Sequence, residues 1–133
     1  NSKLHAAPLT SGAKLGILHG AAAYVCQNNE GQINDTASIS AGLDYPGVSP
    51  IHCFLKDTKR ARYTSATDED ALNAYKLVTK LEKINPSLEP SHAFAEAIKI
   101  APKLSHDTII IVNSCGDAKK DRDILKARLG KIN

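Results

Sequence analysis

The sequence predicts an α/β fold containing part of a three-layer αβα sheet. Its 133 residues, 42% hydrophobic and 23% charged, are enough for one globular domain with a single core. With no Trp, no Met and only two Phe, that core must be aliphatic, which favours α/β layering over an aromatic-rich sandwich. Residues 108–113, Thr-Ile-Ile-Ile-Val-Asn, are apolar on both faces, as in a strand buried in a parallel sheet.

The first forty residues contain short apolar runs that are typical of β-strands. Apolar runs at 15–18 and 22–27 precede Asn-Asn-Glu-Gly at 28–31, which predicts a tight loop within a small antiparallel excursion. Residues 38–50 are dense in Gly, Pro and Ser and predict a loop that follows a short helical turn.

The clearest element is a helix that begins after Thr67. Thr67 can cap it and Asp70 can reach back, as in a capping box. The helix should stop before Pro86, because the residue before a proline is pushed out of the α region. Its apolar positions recur at helical spacing: Leu72, Tyr75, Val78 and Leu81.

Two further helices complete the prediction. One starts at Ser91, after a connection at 87–90, and ends before Pro102, while the last runs from about Asp121 and ends at Gly130 as a left-handed cap. We expect one unit over residues 1–133 with no internal boundary. A sheet this small leaves edges open, which predicts that further chain completes it, and the absence of an initiating Met also favours a fragment.

Composition and charge exclude several classes of function. The net charge is +3 and the basic residues alternate with acids, so we expect no nucleic-acid partner. The apolar run at 109–112 is too short for a bilayer, and the three cysteines and five histidines match no zinc spacing. We expect a soluble intracellular protein, with Cys26 and Cys53 as buried free thiols.

Three places could carry chemistry. Ser114, Cys115 and Gly116 directly follow the predicted strand, where ligands bind in open α/β sheets, although an ordinary turn would read the same way. Glu89, in a proline-flanked connection, is either a helix cap or a site carboxylate. Asp44 before Pro-Gly is either turn chemistry or a site acid.

Four stretches of the chain resemble consecutive signatures of one family, the tryptophan synthase β subunits. The two most specific are Gly-Leu-Asp-Tyr-Pro at 42–46 and Leu-Glu-Pro-Ser-His-Ala at 88–93. The full set covers nearly the whole chain in order: 38–50, 67–72, 86–93 and 123–128.

The resemblance implies the C-terminal part of a fold-type-II lyase of tryptophan biosynthesis that depends on pyridoxal phosphate (PLP). Such an enzyme joins L-serine and indole, and indole arrives through a tunnel from an α subunit. The implied partners are the N-terminal part of the same β subunit, an α subunit and a second β subunit. The implied location is cytoplasmic, or plastid for a plant-like source.

The resemblance also implies roles for single residues. Asp44 matches an acid on the substrate side, and Glu89 matches a carboxylate close to the PLP ring. Cys115 falls where the family has the Ser that bonds the pyridine nitrogen, and a one-residue slip would put Ser114 there. The cofactor-binding set is completed by two glycines, Gly42 and Gly116.

Further matches lie in the first half of the chain. The backbone carbonyls of Tyr45 and Gly47 match ligands of a monovalent cation. Leu18 and His19 match the wall of the tunnel, where His19 is unusually polar.

The chain also departs from the family pattern. After Asn113 the family continues Ser-Gly-Arg-Gly-Asp-Lys-Asp, and residues 115–121 differ from it. Lys83, Asn85 and Pro90 replace the usual Gly, Ile and Ser. The Schiff-base lysine and the glycine-rich phosphate loop belong upstream of Asn1, so we expect no turnover by this chain alone. The alternative is a degenerate, non-catalytic binding or interaction module.

Overall fold

The computed structural model describes residues 4–130, which divide between two compact units, Asn1–Ser65 and Ala66–Asn133. Each unit is described by itself, and the single unit over 1–133 stays a prediction. Helices and a small two-stranded sheet together agree with the predicted α/β class. Within residues 4–130, no helix is both long and apolar enough to cross a bilayer.

The first unit is built on a β-hairpin. Strand β1 (Lys14–Leu18) pairs antiparallel with β2 (Ala21–Val25), and Leu18 lies opposite Ala21. The two residues of the turn, His19 and Gly20, have φ angles of 51° and 77°. Positive φ at both positions is the geometry that suits the twist of a two-residue hairpin. The sequence indicated both strands but not this turn.

The predicted tight loop at 28–31 is confirmed. Gln27 and Ile33 form an isolated antiparallel bridge across it. The Asn28 side chain closes the loop, because its Oδ1 accepts hydrogen bonds from the backbone N–H groups of Glu30 and Gln32, both at 2.9 Å.

Helix α1 (Pro50–Asp57) was absent from the sequence prediction, which placed Pro50 at the end of a loop. Ser49 is the N-cap, its side chain accepts from the Ile51 N–H at 3.3 Å, and Pro50 occupies the first turn. The Ser-Pro pair was therefore the overlooked signal. The helix buries Cys53 and the hairpin leads into Cys26, so both free thiols are buried as predicted.

The second unit begins with helix α2 (Asp68–Glu82), whose predicted capping box is present. The Asp70 N–H donates to Thr67 Oγ1 at 3.1 Å, and the Thr67 N–H donates to Asp70 Oδ2 at 3.0 Å. The bond from the Thr67 N–H and a second bond from the Thr67 hydroxyl to Asp70 Oδ2 lower the pKa of the Asp70 carboxyl. Lys83 ends the helix in a left-handed conformation, ahead of Pro86 as expected.

The buried face of α2 differs in part from the predicted stripe. Tyr75 and Val78 are buried, but Leu81 is 62% exposed, so its place in the predicted core is wrong. Two small side chains, Ala71 and Ala74, take the core positions instead. Small residues let helix α3 pack closely against α2.

Helix α3 (Leu88–Ile100) begins earlier than predicted, because Ser87 is the N-cap and Leu88 the first helical residue. The predicted connection at 87–90 is therefore wrong. Pro90 fits in the first turn, since an N–H group there has no partner within the helix. Glu89 accordingly lies on a helix, not in a connection. A short 3₁₀ turn, Ala101–Lys103, follows.

The predicted strand at 108–113 is not formed. Residues 108–113 carry no strand, and Ile109 and Ile111 are 84% and 90% exposed. A buried parallel strand needs neighbouring strands and covering helices, and the only sheet among residues 4–130 is the hairpin in the other unit. The apolar pattern is therefore present without the partners that would bury it.

The last helix, α4 (Arg122–Leu129), follows a 3₁₀ turn at Ala118–Asp121 and buries Leu125. Gly130 ends it with the predicted positive φ of 76°, but its ψ of −146° lies outside the left-handed helical region. The predicted left-handed cap is therefore correct only in φ.

Candidate functional site

The predicted site residues of the second unit lie where two chain segments run side by side. We call this the clasp and define it as residues 85–89 and 115–121. Pro86 and Asp117 form an antiparallel bridge, and the Ala118 N–H donates to the Asn85 carbonyl at 3.0 Å. The clasp brings the start of α3 against the turn that leads into α4.

A second hydrogen bond anchors Cys115 within the clasp. The buried Ser87 hydroxyl donates to the Cys115 carbonyl at 3.0 Å. Ser87 makes no side-chain cap to its own helix. The Ser87 hydroxyl therefore fixes the backbone of Cys115, the residue after Ser114.

Asp121 caps helix α3 from a distant part of the chain. Its Oδ2 accepts from the Leu88 N–H at 2.8 Å, across 33 residues of sequence. Asp121 is 2% exposed, so its charge must be compensated locally. The positive end of the α3 dipole supplies part of that compensation.

The Lys120 ammonium supplies the remaining compensation of the Asp121 charge and also binds Glu89. Its Nζ lies 2.7 Å from both carboxylate oxygens of Glu89 and 3.1 Å from Asp121 Oδ1. The hydrogen bond with Glu89, followed by the bond to and charge of Asp121, raises the pKa of the Lys120 ammonium. The Glu89 side chain is 19% exposed, against 49% for Lys120.

Ser114 and Gly116 line a cavity of about 660 Å³ at the other edge of the clasp. Ser114 and Cys115 are both exposed, and of the two only Ser114 lines this cavity. Gly116 has a φ of 76°, and a Cβ there would lie 3.3 Å from Ser87 Oγ. The remaining lining residues come from α2, the segment after it, the clasp and α4: Tyr75, Ile84, Asn85, Pro86, Asp117, Ala118, Lys119, Arg122 and Leu125.

The other predicted site residues, Gly42, Asp44, Tyr45 and Gly47, lie in the first unit. The Asp44 N–H donates to the Ser40 carbonyl at 3.0 Å, which forms the turn that carries Gly42. Gly42 and Asp44 are exposed on this turn. The structure thus brings Glu89, Cys115 and Gly116 into one clasp, with Ser114 directly before it, and the Gly42–Gly47 residues into one loop.

The loop at 45–47 is held against strand β2. The Cys26 N–H donates to the Pro46 carbonyl at 2.7 Å, and the buried Gly47 bridges to Val25. A Cβ at Gly47 would lie 2.7 Å from Leu18 Cδ2, so a larger residue there would force the Leu18 side chain to shift.

The two predicted tunnel residues lie at the end of the hairpin. His19 stacks on Tyr45 with ring centroids 6.1 Å apart, and Leu18 is half-buried beside Gly47. The residues predicted for the tunnel and those predicted for the cation therefore lie together on one surface of the first unit. Among the described residues, no group of three His, Cys, Asp or Glu side chains could hold a metal ion.

Sequence reasoning missed Lys120 and Asp121. The run at 119–123 was interpreted as the solvated start of a helix, whereas Asp121 is buried and Lys120 binds Glu89. Alternating charges predict a solvated face in general, and nothing local distinguishes these two residues from Lys119 or Asp123. Their partners lie 31 and 33 residues away.

No family model matches the chain. It is 50% identical to the tryptophan synthase beta chain of Bordetella petrii over 130 residues, which is 98% of this chain and 32% of that protein. It is 53% identical to that of Chromobacterium violaceum over 117 residues, 88% of this chain and 29% of the relative. The corresponding protein of Bordetella parapertussis is 49% identical over 126 residues.

The chain thus spans about a third of the length of the curated relatives it matches. The match runs through both units and includes the loop at 42–47 and the clasp, since it covers nearly the whole chain. The chain is therefore similar, at about 50% identity, to roughly a third of the tryptophan synthase beta chains named above.

Proposed function

We propose that this chain is the C-terminal part of a tryptophan synthase β subunit, which as a whole makes L-tryptophan from L-serine and indole by PLP-dependent β-replacement. The observation that carries the proposal is about 50% identity over 88–98% of the chain to proteins of that name. The chain by itself is inactive, because no glycine-rich phosphate loop occurs in its sequence.

The clasp fits the ring side of PLP. Ser114 offers a hydroxyl and Gly116 an open backbone to a flat polar ring, and both line the cavity of about 660 Å³, while Glu89 adds a carboxylate acceptor within the clasp. When bound, PLP supplies an electron sink for the reacting amino acid. A hydroxyl at the ring nitrogen, in place of a carboxylate, would leave that nitrogen largely unprotonated and moderate the sink.

The roles proposed for single residues follow from these positions. Ser114 takes the ring-nitrogen contact because it lines the cavity, and Cys115 is the alternative through a weakly polar thiol. Glu89 stands beside the ring as an ionised group paired with Lys120. Gly116 allows the backbone to approach the ring closely.

The loop of the first unit has its own proposed roles in the whole protein. The exposed Asp44 contacts the substrate, and Gly42 leaves room for the cofactor. The backbone carbonyls of Tyr45 and Gly47 bind a monovalent cation, supported by the anchoring of this loop through Pro46. Leu18 and His19 contribute to the path of indole from the α subunit.

The remaining part of the β chain is the proposed partner of residues 108–113. This segment has the composition of a buried strand, yet Ile109 and Ile111 are almost fully exposed. Addition of this segment to a sheet of the N-terminal part would satisfy its backbone groups and complete the three-layer arrangement. An α subunit and a second β subunit are the further proposed partners. The named relatives are bacterial, which gives the plastid alternative no support.

Complementation tests the function directly. The chain is purified with and without a separately expressed N-terminal part of a β subunit, and tryptophan formation from serine and indole is measured with added PLP. We expect no turnover from either part and PLP-dependent turnover from the mixture. Turnover by the chain alone would contradict its inactivity, and a stable but inactive complex would favour the degenerate module.

A matched pair of variants locates the site in the complemented enzyme. Glu89→Gln should lower turnover about 10-fold or more, because it removes a charge beside the ring. Glu96→Gln, on the same helix with a similar exposure of 18%, should leave turnover within about 2-fold. Equal activity in both variants would contradict the role proposed for Glu89.

A further inference from the structure

We propose that Lys120 is the positioning residue of Glu89: buried Asp121 fixes the Lys120 ammonium, which in turn fixes the orientation of the Glu89 carboxylate at the start of α3. The proposal rests on the proposed function only for the role of Glu89. The ion pair itself is a property of this chain and can be tested without cofactor or turnover.

The first step is the anchor. The Asp121 side chain is 3% exposed and uses both oxygens, one for the Leu88 N–H at 2.8 Å and one for Lys120 Nζ at 3.1 Å. A carboxylate held by a helix N-terminus and by packing has little freedom to rotate. Asp121 therefore presents a fixed oxygen to Lys120.

The second step is the contact with Glu89. Lys120 Nζ lies 2.7 Å from each Glu89 oxygen, so the ammonium is equidistant from both and contacts the carboxylate through two hydrogen bonds. A glutamate has three rotatable side-chain bonds, and fixing them costs conformational entropy. The bidentate contact offsets that cost.

A second lysine–glutamate pair on α3 shows what an ordinary pair looks like. Lys99 Nζ lies 3.4 Å from a single oxygen of Glu96, and the Lys99 side chain is 64% exposed. Pairs of this kind contribute little, because solvent screens them and both side chains remain mobile. Lys120 differs in its shorter distances, its two oxygens and its buried anchor.

The decisive measurement uses NMR titration of the 133-residue chain with labelled Lys and Glu side chains. In Lys120→Met, the midpoint of the Glu89 carboxyl titration should rise by about 0.5–1 pH unit relative to the parent chain, because a nearby cation is lost. The control Lys99→Met should leave the Glu89 midpoint unchanged. An unchanged midpoint in Lys120→Met overturns the proposal.

A second variant covers the case in which Lys120→Met fails to fold. In Glu89→Gln, the pKa of the Lys120 ammonium should fall toward the ordinary lysine value of 10.5, since the largest cause of its elevation is removed. Glu96→Gln is the matched control and should leave Lys120 unaffected. An unchanged Lys120 in Glu89→Gln likewise overturns the proposal.

The complemented enzyme then separates positioning from mere structural support. Lys120→Met should lower kcat and shift the pH profile of kcat, while Lys120→Arg, which can also bind a carboxylate with two hydrogen bonds, should restore the profile in part. A variant with parent kcat and profile overturns the positioning role. If complementation yields no activity even for the parent, the proposed function fails, and the NMR titrations alone decide on Lys120.

Discussion

At the scale of single residues, the clasp depends on two positions, Gly116 and Asp121. Gly116 has a positive φ and faces the Ser87 hydroxyl, and Asp121 is a buried carboxylate with two partners. Both positions are determined by contacts within the second unit. Their substitution should therefore weaken the clasp before it affects any other region.

Gly116→Ala should destabilise the chain by about 1–2 kcal/mol, because an L side chain at φ 76° is strained and its Cβ would lie 3.3 Å from Ser87 Oγ. Gly130 has the same φ with no atom within 4 Å of an added Cβ, so Gly130→Ala reports the strain alone. Urea unfolding followed by circular dichroism measures both. Equal losses would contradict a role for the Ser87 contact.

Asp121→Ala should cost about 2–3 kcal/mol, because it leaves the buried Leu88 N–H without its acceptor and removes one partner of Lys120. Asp123, an exposed acid in the first turn of α4, provides the control. Asp123→Ala should stay within about 0.5 kcal/mol of the parent chain in the same urea assay. A similar loss in both variants would argue against the long-range cap.

At the scale of elements, local signals and observed structure agree best at helix starts. The capping box of α2 lies within four residues, so one short motif carries all of its partners. The start of α3 was mispredicted because Pro90 looked like a break, although the first turn of a helix accepts proline. The position at which each helix starts thus depends on which of its first N–H groups have hydrogen-bond acceptors.

The capping box predicts an acid-sensitive α2. Its hydrogen bonds lower the pKa of Asp70 below the ordinary value of 3.8 in the folded chain. A lowered folded pKa stabilises the chain above the unfolded value, and this contribution disappears as pH falls through the folded value. Helicity should therefore decline as pH falls from about 4, when followed by circular dichroism.

Thr67→Ala isolates the cap. It should cost about 0.5–1 kcal/mol at neutral pH and move the Asp70 titration upward, because both Thr67 hydroxyl bonds are lost. Thr79→Ala, within the same helix, leaves the cap intact and should leave the Asp70 titration unchanged. An Asp70 midpoint insensitive to Thr67→Ala would contradict the assigned cause.

At the scale of the whole molecule, the exposed segment at 108–113 is the surface that the proposed N-terminal partner would cover. Ile111 is 90% exposed, so Ile111→Glu should leave the stability of the isolated chain within about 0.5 kcal/mol of the parent. The same change should weaken association with the N-terminal part at least 10-fold, because a charge would enter a buried strand. Analytical ultracentrifugation of the mixture measures the effect.

The control for this prediction is Ile51→Glu on α1, where the isoleucine is 67% exposed and the added charge is the same. Its association with the N-terminal part should match that of the parent chain. If Ile111→Glu binds as well as Ile51→Glu, residues 108–113 do not form the proposed contact.

The sequence by itself determined the features whose partners are close along the chain. These are the loop closed by Asn28, the capping box of Thr67 and Asp70, and the motifs at 42–46 and 88–93 that carry the family resemblance. Each depends on residues within a few positions of one another, so a single stretch of sequence contains both donor and acceptor.

Only the tertiary structure decided which of the many charged residues meet. Lys120 and Glu89 are 31 residues apart, and Lys119 or Asp123 would have looked equally suitable in a list of charges. The choice depends on how the start of α3 packs against the turn before α4, which buries Asp121 and places Lys120 beside Glu89. The apolar run at 108–113 shows the converse, because a strand pattern without neighbouring strands stays exposed.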